Sequence, residues 1–449
     1  MAQSPVVTFP RFMEAFHAHF TRPTLRNMVI LAAGWVLAPR GHAVTDVLVA
    51  TGASGIWHHA AFHRFFSDAV WNADHWGLDL LWRLREVLAP GGVLRGAIDD
   101  TLAEKRGSHI HGVGTHLDAV RSTRAFRVFS FGHVWVTLCV LVELPFSRRP
   151  WAFPLVFRLY RSKKAAAAAR VAYRSKPELA REMLHLVAAG FPDWRLHFSA
   201  DNAYANGTVL HRLPANVTFV GAMRPDAVLT AVPVMPAKPR GRRKLRGNVL
   251  PKPSAMANDG TRFQSVIVRI YGKDQVVYFK TCLAQWYRAC GASLLRVVVV
   301  RCDRGTIRFR VYFCTDATIT VAQVIELYSG RWAIETCFRN LKQLFGFADS
   351  SARTKAAVCR TAPFVGLLYS SLVLWFTVHH FRADRPTSGL PCRPWYRSKS
   401  DLAFEDILRA TRGQLVSHGI LDPLRMLADF TKTPTWSTPP TPRPRKTSG

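Results

Sequence analysis

Apolar residues recur at three- and four-residue intervals over 28–37 and again over 78–88, the spacing of helices with one buried face, and the Ala89-Pro90-Gly91-Gly92 break closes this helical stretch. From residue 93 the texture changes. Short apolar runs at 93–98, 134–144 and 151–159 read as strands, the second rich in β-branched residues. Pro177 opens a helix predicted over 178–189, with Glu178 and Glu182 in its first turns and Gly190-Phe191-Pro192 at its end. Residues 195–200 form a further strand candidate that runs directly into Asp201. Three strands, a helix and a fourth strand open an α/β domain with a mixed sheet. Between 216 and 321 strands return without helices, at 217–222, 265–271, 275–278, 294–300 and 307–314, as a β-rich insertion. Helical periodicity resumes over 321–345 and 356–380. No internal repeat is found.

This pattern divides the chain into a helical domain at 1–90, a core in two parts at 91–215 and 322–382, the insertion at 216–321, and a C-terminal segment at 383–449. The 449 residues are 49% apolar and 11% aromatic, a globular composition. There are 61 Lys and Arg against 29 Asp and Glu, a formal charge of +32, with a pI of 10.8. Such a charge points to a polyanionic partner, nucleic acid first and an anionic membrane surface second. Residues 1–90 carry seven arginines and six acids, so nearly all of the excess lies beyond them. Residues 144–177 hold nine basic side chains and no acid. Residues 227–258 hold seven, among them Arg240, Arg242, Arg243 and Lys244, in a Pro- and Gly-broken loop able to follow phosphates or to serve as a solvated linker. The Thr/Pro-rich tail from 431 is expected to be disordered.

Eight cysteines without a Cys-x-x-Cys pair argue against a zinc ribbon and for a reduced, cytoplasmic setting. The first twenty residues contain Arg11, Glu14 and two histidines where a secretion signal needs an apolar run. The apolar runs at 128–146 and 364–381 read as buried core elements, not membrane spans.

Tyr328, Arg331, Glu335 and Lys342 are spaced by three, four and seven residues. At about 100° per residue they fall within a stripe about 60° wide on one helix face. Two readings share this stripe: a surface row of i,i+4 ion pairs, or a site where Glu335 binds a metal and the cations hold phosphates. Asp99 and Asp100 follow the first strand and Asp201 follows the fourth, where α/β sheets expose catalytic groups. Three carboxylates with water and phosphate oxygens suit Mg²⁺. Two such ions about 3.5–4 Å apart serve in-line phosphoryl displacement.

The stretch Tyr328-Ser-Gly-Arg331-Trp-Ala-Ile-Glu335-Thr-Cys-Phe-Arg-Asn-Leu-Lys342 resembles the Tyr-x2-Arg-x3-Glu-x6-Lys motif of the insertion sequence 4 group of DDE transposases, insertion sequence 701-like members included. Ile98-Asp99-Asp100-Thr101 resembles that group's first aspartate motif and Asp201-Asn202-Ala203-Tyr204-Ala205-Asn206 its second. Gly221-Ala-Met-Arg224-Pro-Asp226-Ala227, the basic stretch from Pro239 and Phe313-Cys-Thr-Asp316 are lesser matches. The resemblance covers roughly 20–380. It implies an RNase H-like α/β core, a mixed sheet flanked by helices with the β-rich insertion between the second Asp and the Glu, preceded by a helical DNA-binding domain. It implies Asp100, Asp201 and Glu335 as the catalytic, metal-binding triad, with the aspartate that precedes Thr as the first ligand. Tyr328, Arg331 and Lys342 would grip the transposon end. The activity implied is cut-and-paste transposition using two Mg²⁺ ions, with Mn²⁺ able to substitute. The partners implied are double-stranded terminal-repeat and target DNA, with a homodimer in the synaptic complex and no membrane.

His59 and His63 have a zinc-compatible i,i+4 spacing, but lack cysteines or carboxylates at ligand spacing. With His58, His75, His109, His111 and His116 they read as surface or DNA-facing residues. Trp286 or Trp332 is placed to stack on a flipped base. The alternatives to a transposase are a catalytically inactive or domesticated RNase H-like DNA-binding protein, and a membrane-associated protein.

Overall fold

The computed structural model describes residues 7–123, 125–234, 244–303, 306–384, 395, 399 and 401–417. Among the N-terminal helices, α1 (Arg22–Leu37) and α2 (Ala73–Leu88) are the longest. Asn72 caps α2 by accepting the backbone N–H of Asp74 at 2.8 Å. Ten strands follow among the described residues: β1 (Leu94–Glu104), β2 (Gly114–Leu117), β3 (Phe129–Val142), β4 (Trp151–Tyr160), β5 (Leu196–Ala200), β6 (Val217–Ala222), β7 (Gln264–Ile270), β8 (Lys273–Gln285), β9 (Leu294–Arg301) and β10 (Phe309–Cys314). Between β4 and β5 runs α3 (Lys176–Gly190), started by a capping box between Ser175 and Glu178. Beyond β10 come α4 (Val321–Gly330), α5 (Ala333–Leu344), α6 (Lys355–Trp375) and α7 (Phe404–Ser417).

All ten strands join in one sheet of order β2-β3-β1-β5-β6-β10-β9-β8-β7, with β4 sharing the edge of β3 that β2 begins. β3 is antiparallel to both of its neighbours β1 and β4, while β5 and β6 add to β1 in parallel. Three antiparallel strands, a helix and two parallel strands constitute an RNase H-like core. β6, which the pattern alone assigns to the insertion, belongs to this core, because it pairs in parallel with β5 from Leu196 to Ala200. The inserted strands β7–β10 extend the same sheet through the antiparallel pairing of β10 with β6. The inserted stretch also contains two short helices, Pro253–Asn258 and Tyr287–Cys290, where strands alone are expected.

One apolar core runs from Phe9 to Leu415 and takes in the N-terminal helices, both faces of the sheet and the C-terminal helix. A second, smaller core lies between α4 and the inserted strands. α2 rests on β4 so closely that Gly77 leaves no room for a side chain: a Cβ there would sit 2.2 Å from the Leu155 carbonyl oxygen. α7 closes over the first helix, with Arg412 donating to the carbonyls of Val36 (2.6 Å) and Ala38 (3.1 Å) at its C-terminal end. The stretch Lys355–His380 is long and apolar enough to cross a membrane, but 89% of its most apolar window is buried in the core. The other apolar run is β3, the central antiparallel strand.

Candidate active site

The pleat of β1 decides which side chains meet. Residues directly opposed on antiparallel neighbours project to the same face. Asp99 opposes Thr137, which opposes Phe157, and the Phe157 ring packs on Gly366 of α6. Asp100 opposes Val136 and Arg158, and Arg158 donates to Glu182 of α3 at 2.7 Å. The two adjacent aspartates thus serve opposite faces of the sheet, Asp99 that of α5 and α6, Asp100 that of α3.

On the first face, Oδ2 of Asp99 accepts Nη1 of Arg331 at 2.7 Å, and Nη2 of the same guanidinium lies 3.4 Å from Oε1 of Glu335. Asp201 leaves the C-terminal end of β5 one residue beyond the Ala200–Ile98 pair, which sets it beside Asp99. Its Oδ1 accepts the N–H of Ala203 at 2.9 Å, an Asx turn that fixes the side chain. Burial pushes the Asp99 carboxyl up to about 7, Arg331 opposes this, and the negative charges of Asp201 and Asp100 add to it. Burial likewise raises Glu335, against Arg331 and together with Asp201. Asp99, Asp201 and Glu335 therefore share one electrostatic neighbourhood centred on Arg331.

Asp100 belongs to a different set. Its Oδ2 pairs with Nζ of Lys176 at 2.6 Å and its Oδ1 accepts the hydroxyl of Tyr204 at 2.9 Å. The resemblance implied Asp100 as first ligand, whereas the strand alternation carries Asp100 away from Glu335 and brings Asp99 to it. Lys176 and Tyr204 were not singled out from sequence, although Lys176 is the last cation of the acid-free basic run and Tyr204 lies within the second aspartate motif.

The stripe predicted on one helix is divided between two. Arg331 and Trp332 keep right-handed helical dihedrals, but the N–H groups of Arg331, Trp332, Ile334 and Glu335 bond three residues back rather than four. Such tightening, a 3₁₀-like turn, ends α4 and separates it from α5. Tyr328 remains close to Arg331, whose guanidinium carbon lies 5.7 Å from its ring centroid, and packs on Tyr312 with centroids 4.3 Å apart. Lys342 is drawn to a separate group of acids: burial lowers its pKa, while Asp118, Glu104 and Asp100 work against that shift.

Of the basic-loop residues, Lys244 is exposed and Arg240, Arg242 and Arg243 lie outside the described residues. The rings of His58 and His59 stack at 4.4 Å and those of His59 and His63 meet edge-on at 5.6 Å. Trp286 packs against Phe313, whereas Trp332 is 48% exposed. The donor set of Asp99, Asp201 and Glu335 is all carboxylate oxygen, the chemistry a hard divalent cation takes. Among the described residues, however, no three His, Cys, Asp or Glu side chains converge tightly enough to hold a metal ion as they stand. Arg331 fills the interval between Asp99 and Glu335.

The family described as DDE superfamily endonuclease matches residues 15–272, more than half of the chain, including Asp99 and Asp201 and ending before Glu335. No curated protein matches. Among solved structures, a cryo-EM structure of a piggyBac transposase synaptic complex with hairpin DNA aligns with a TM-score of 0.38 at 9% identity, over 96% of this chain and 79% of that one, a likeness too distant to carry an inference.

Proposed function

The chain belongs to the DDE superfamily endonucleases, and from that premise we propose that it is a transposase of the insertion sequence 4 group, cutting and joining DNA by metal-dependent phosphoryl transfer. The observation that carries this reading is the grouping of Asp99, Asp201 and Glu335 about one arginine on one face of an RNase H-like sheet. Asp99, Asp201 and Glu335 would hold Mg²⁺, or Mn²⁺ in its place. When bound, such ions supply charge neutralisation and a polarised nucleophile.

The chain's own residues account for the rest. Arg331 and Tyr328 face the carboxylates from the α4–α5 turn, where a guanidinium and a phenol suit the non-bridging oxygens of a phosphodiester. Taking Arg331 by DNA phosphate would release Asp99 and Glu335 from their shared counter-ion. In the first step water attacks phosphorus and the P–O3′ bond breaks, leaving a 3′-hydroxyl. That hydroxyl then attacks a second phosphodiester, forming one P–O bond as another breaks. Lys244 with Arg240, Arg242 and Arg243 supplies positive charge for duplex DNA, and a homodimer would pair two ends in a bacterial cytoplasm.

Cleavage of terminal-repeat DNA in Mg²⁺ tests this reading, and Glu335→Gln is expected to abolish it; a variant as active as the parent would sink the assignment. The absence of a ready-formed ligand cluster among the described residues favours one second reading, a DNA-binding relative without turnover. Undiminished duplex affinity with no cleavage in Mg²⁺ or Mn²⁺ would select it.

A further inference from the structure

A cleft of about 1260 Å³ opens on the other side of α5, between the N-terminal end of β1, the β3–β4 loop and the β7–β8 hairpin. It exceeds the roughly 300–1,000 Å³ of a small-molecule site. Two half-exposed aromatic rings stand in it: Trp332, the residue after Arg331, and Tyr271, with centroids 6.5 Å apart and edge to face. Tyr271 occupies a costly position. The two-residue hairpin Tyr271-Gly272 has positive φ at both residues, +52° and +76°, a turn that Asn-Gly fills with least strain. A bulky aromatic kept there is a strained residue held at a hairpin tip. Arg149 holds it in place, donating from Nε to the Tyr271 carbonyl at 3.1 Å with its guanidinium carbon 5.6 Å from the ring.

Arg148, Arg149, Arg269 and Arg339 line the same cleft and are exposed. Arg148 is paired with Asp401 at 3.0 Å. Arg149, Arg269 and Arg339 have no carboxylate partner among the described residues, although Glu326, also in the lining, accepts the backbone N–H of Arg269. Exposed aromatic faces interleaved with guanidinium groups are the recognition chemistry of unpaired bases on a phosphate backbone. A duplex keeps its bases stacked on one another and would leave both rings without use.

We propose that this cleft binds single-stranded DNA, the strand that cutting frees beside Glu335, with Tyr271 and Trp332 as stacking platforms and Arg149, Arg269 and Arg339 on its phosphates. The occupant named here rests on the nuclease reading; the recognition chemistry does not.

The test measures binding of the full chain to a labelled 12-nucleotide oligothymidine and to a 30-base-pair duplex by fluorescence anisotropy. Trp332→Ala and Tyr271→Ala are each expected to weaken the oligothymidine about five- to hundredfold, and Trp332→Phe to retain most of the affinity. Duplex affinity should change by less than twofold. Joint substitution of the exposed Arg149 and Arg339 by Ala should lower the log–log salt slope for oligothymidine by about 1.4, at about 0.7 per phosphate. This arm stands even where an aromatic substitution disturbs folding. Unchanged oligothymidine affinity and slope, or equal losses on both probes, would overturn the proposal. Cleavage of duplex ends by the parent protein is scored separately: a parent that does not cut, but shows the single-strand pattern, removes the nuclease reading and leaves the cleft as assigned.

Discussion

Arg331 and Asp99 are 232 residues apart in the chain and 2.7 Å apart in the structure. The pair fixes the α4–α5 turn to the centre of β1, and the same guanidinium reaches Glu335. A carboxyl as buried as Asp99 resists ionisation unless a cation stands beside it. Arg331 is that cation, supplied by the chain, and its own Nε is buried without a hydrogen-bond partner among the described residues. One guanidinium thus offsets part of the negative charge that Asp99, Asp201 and Glu335 bring to this face of the sheet.

Because neighbouring residues of a strand face opposite ways, the two aspartates of β1 are separable by mutation. Asp99→Asn is expected to reduce cleavage of terminal-repeat DNA in Mg²⁺ on the order of a thousandfold or more, the scale for removing charge stabilisation at the reacting centre. Asp100→Asn, which breaks the contact with Lys176 and weakens that with Tyr204, should cost no more than about ten- to hundredfold, as loss of a supporting contact does. Rate measurements on both variants decide the matter; the reverse order would return the role to Asp100.

That choice was illegible in the sequence for a definite reason. Strand faces are read from alternation of apolar and polar residues, and Asp99-Asp100-Thr101 interrupts the alternation where it matters. The strands themselves were legible, since β4 and β9 are apolar runs buried through most of their length. Membership was not, because strand partners rather than local pattern separate core β6 from inserted β7. The spacing of Tyr328, Arg331, Glu335 and Lys342 was read directly, but the tightened turn at Arg331 was not, because nothing in Gly330-Arg331-Trp332 forbids a continuous helix. The clasp of α7 on the first helix depends on residues nearly 400 positions apart, beyond any local pattern.

The basic loop leads to a salt-dependence prediction. Neutralising Arg240, Arg242, Arg243 and Lys244 should lower the log–log slope of duplex binding by about 0.9 for each phosphate contact removed. Affinity measured from 50 to 300 mM salt gives the slope, and an unchanged value would make the loop a bystander.

Two helical glycines should respond to alanine with opposite sign. Alanine is favoured over glycine in a helix by about 1 kcal/mol where space permits. At Gly413 of α7 nothing among the described residues lies within 4 Å of the added methyl, so Gly413→Ala should stabilise by about 0.5–1 kcal/mol. At Gly77 the methyl meets the Leu155 carbonyl at 2.2 Å, and backbone cannot rotate aside as a side chain can. Gly77→Ala should cost about 1–3 kcal/mol as α2 is lifted from β4. Urea midpoints with unchanged slopes check both; a stabilised Gly77→Ala would show that α2 docks loosely on the sheet.

Acid should weaken the fold through His133. Its ring is 2% exposed on β3, and Nε2 donates to the His111 carbonyl at 2.9 Å. Burial lowers its pKa to about 4; the carbonyl opposes this shift, and Lys105, His111 and His116 reinforce it. The unfolded chain binds a proton at this residue near pH 6.5, whereas the folded chain does so only near 4. Between these values the unfolded state holds more protons, so stability is complete above about pH 6.5 and drains as pH falls toward 4, by at most about 3 kcal/mol from this residue. His111 and His116, also lowered by burial, add to the same slope. Gln at position 133 can donate to the same carbonyl but does not titrate. His133→Gln should therefore show a shallower fall in unfolding free energy between pH 6.5 and 4.5, and a slope equal to the parent's would mean that the imidazole is charged in the folded protein.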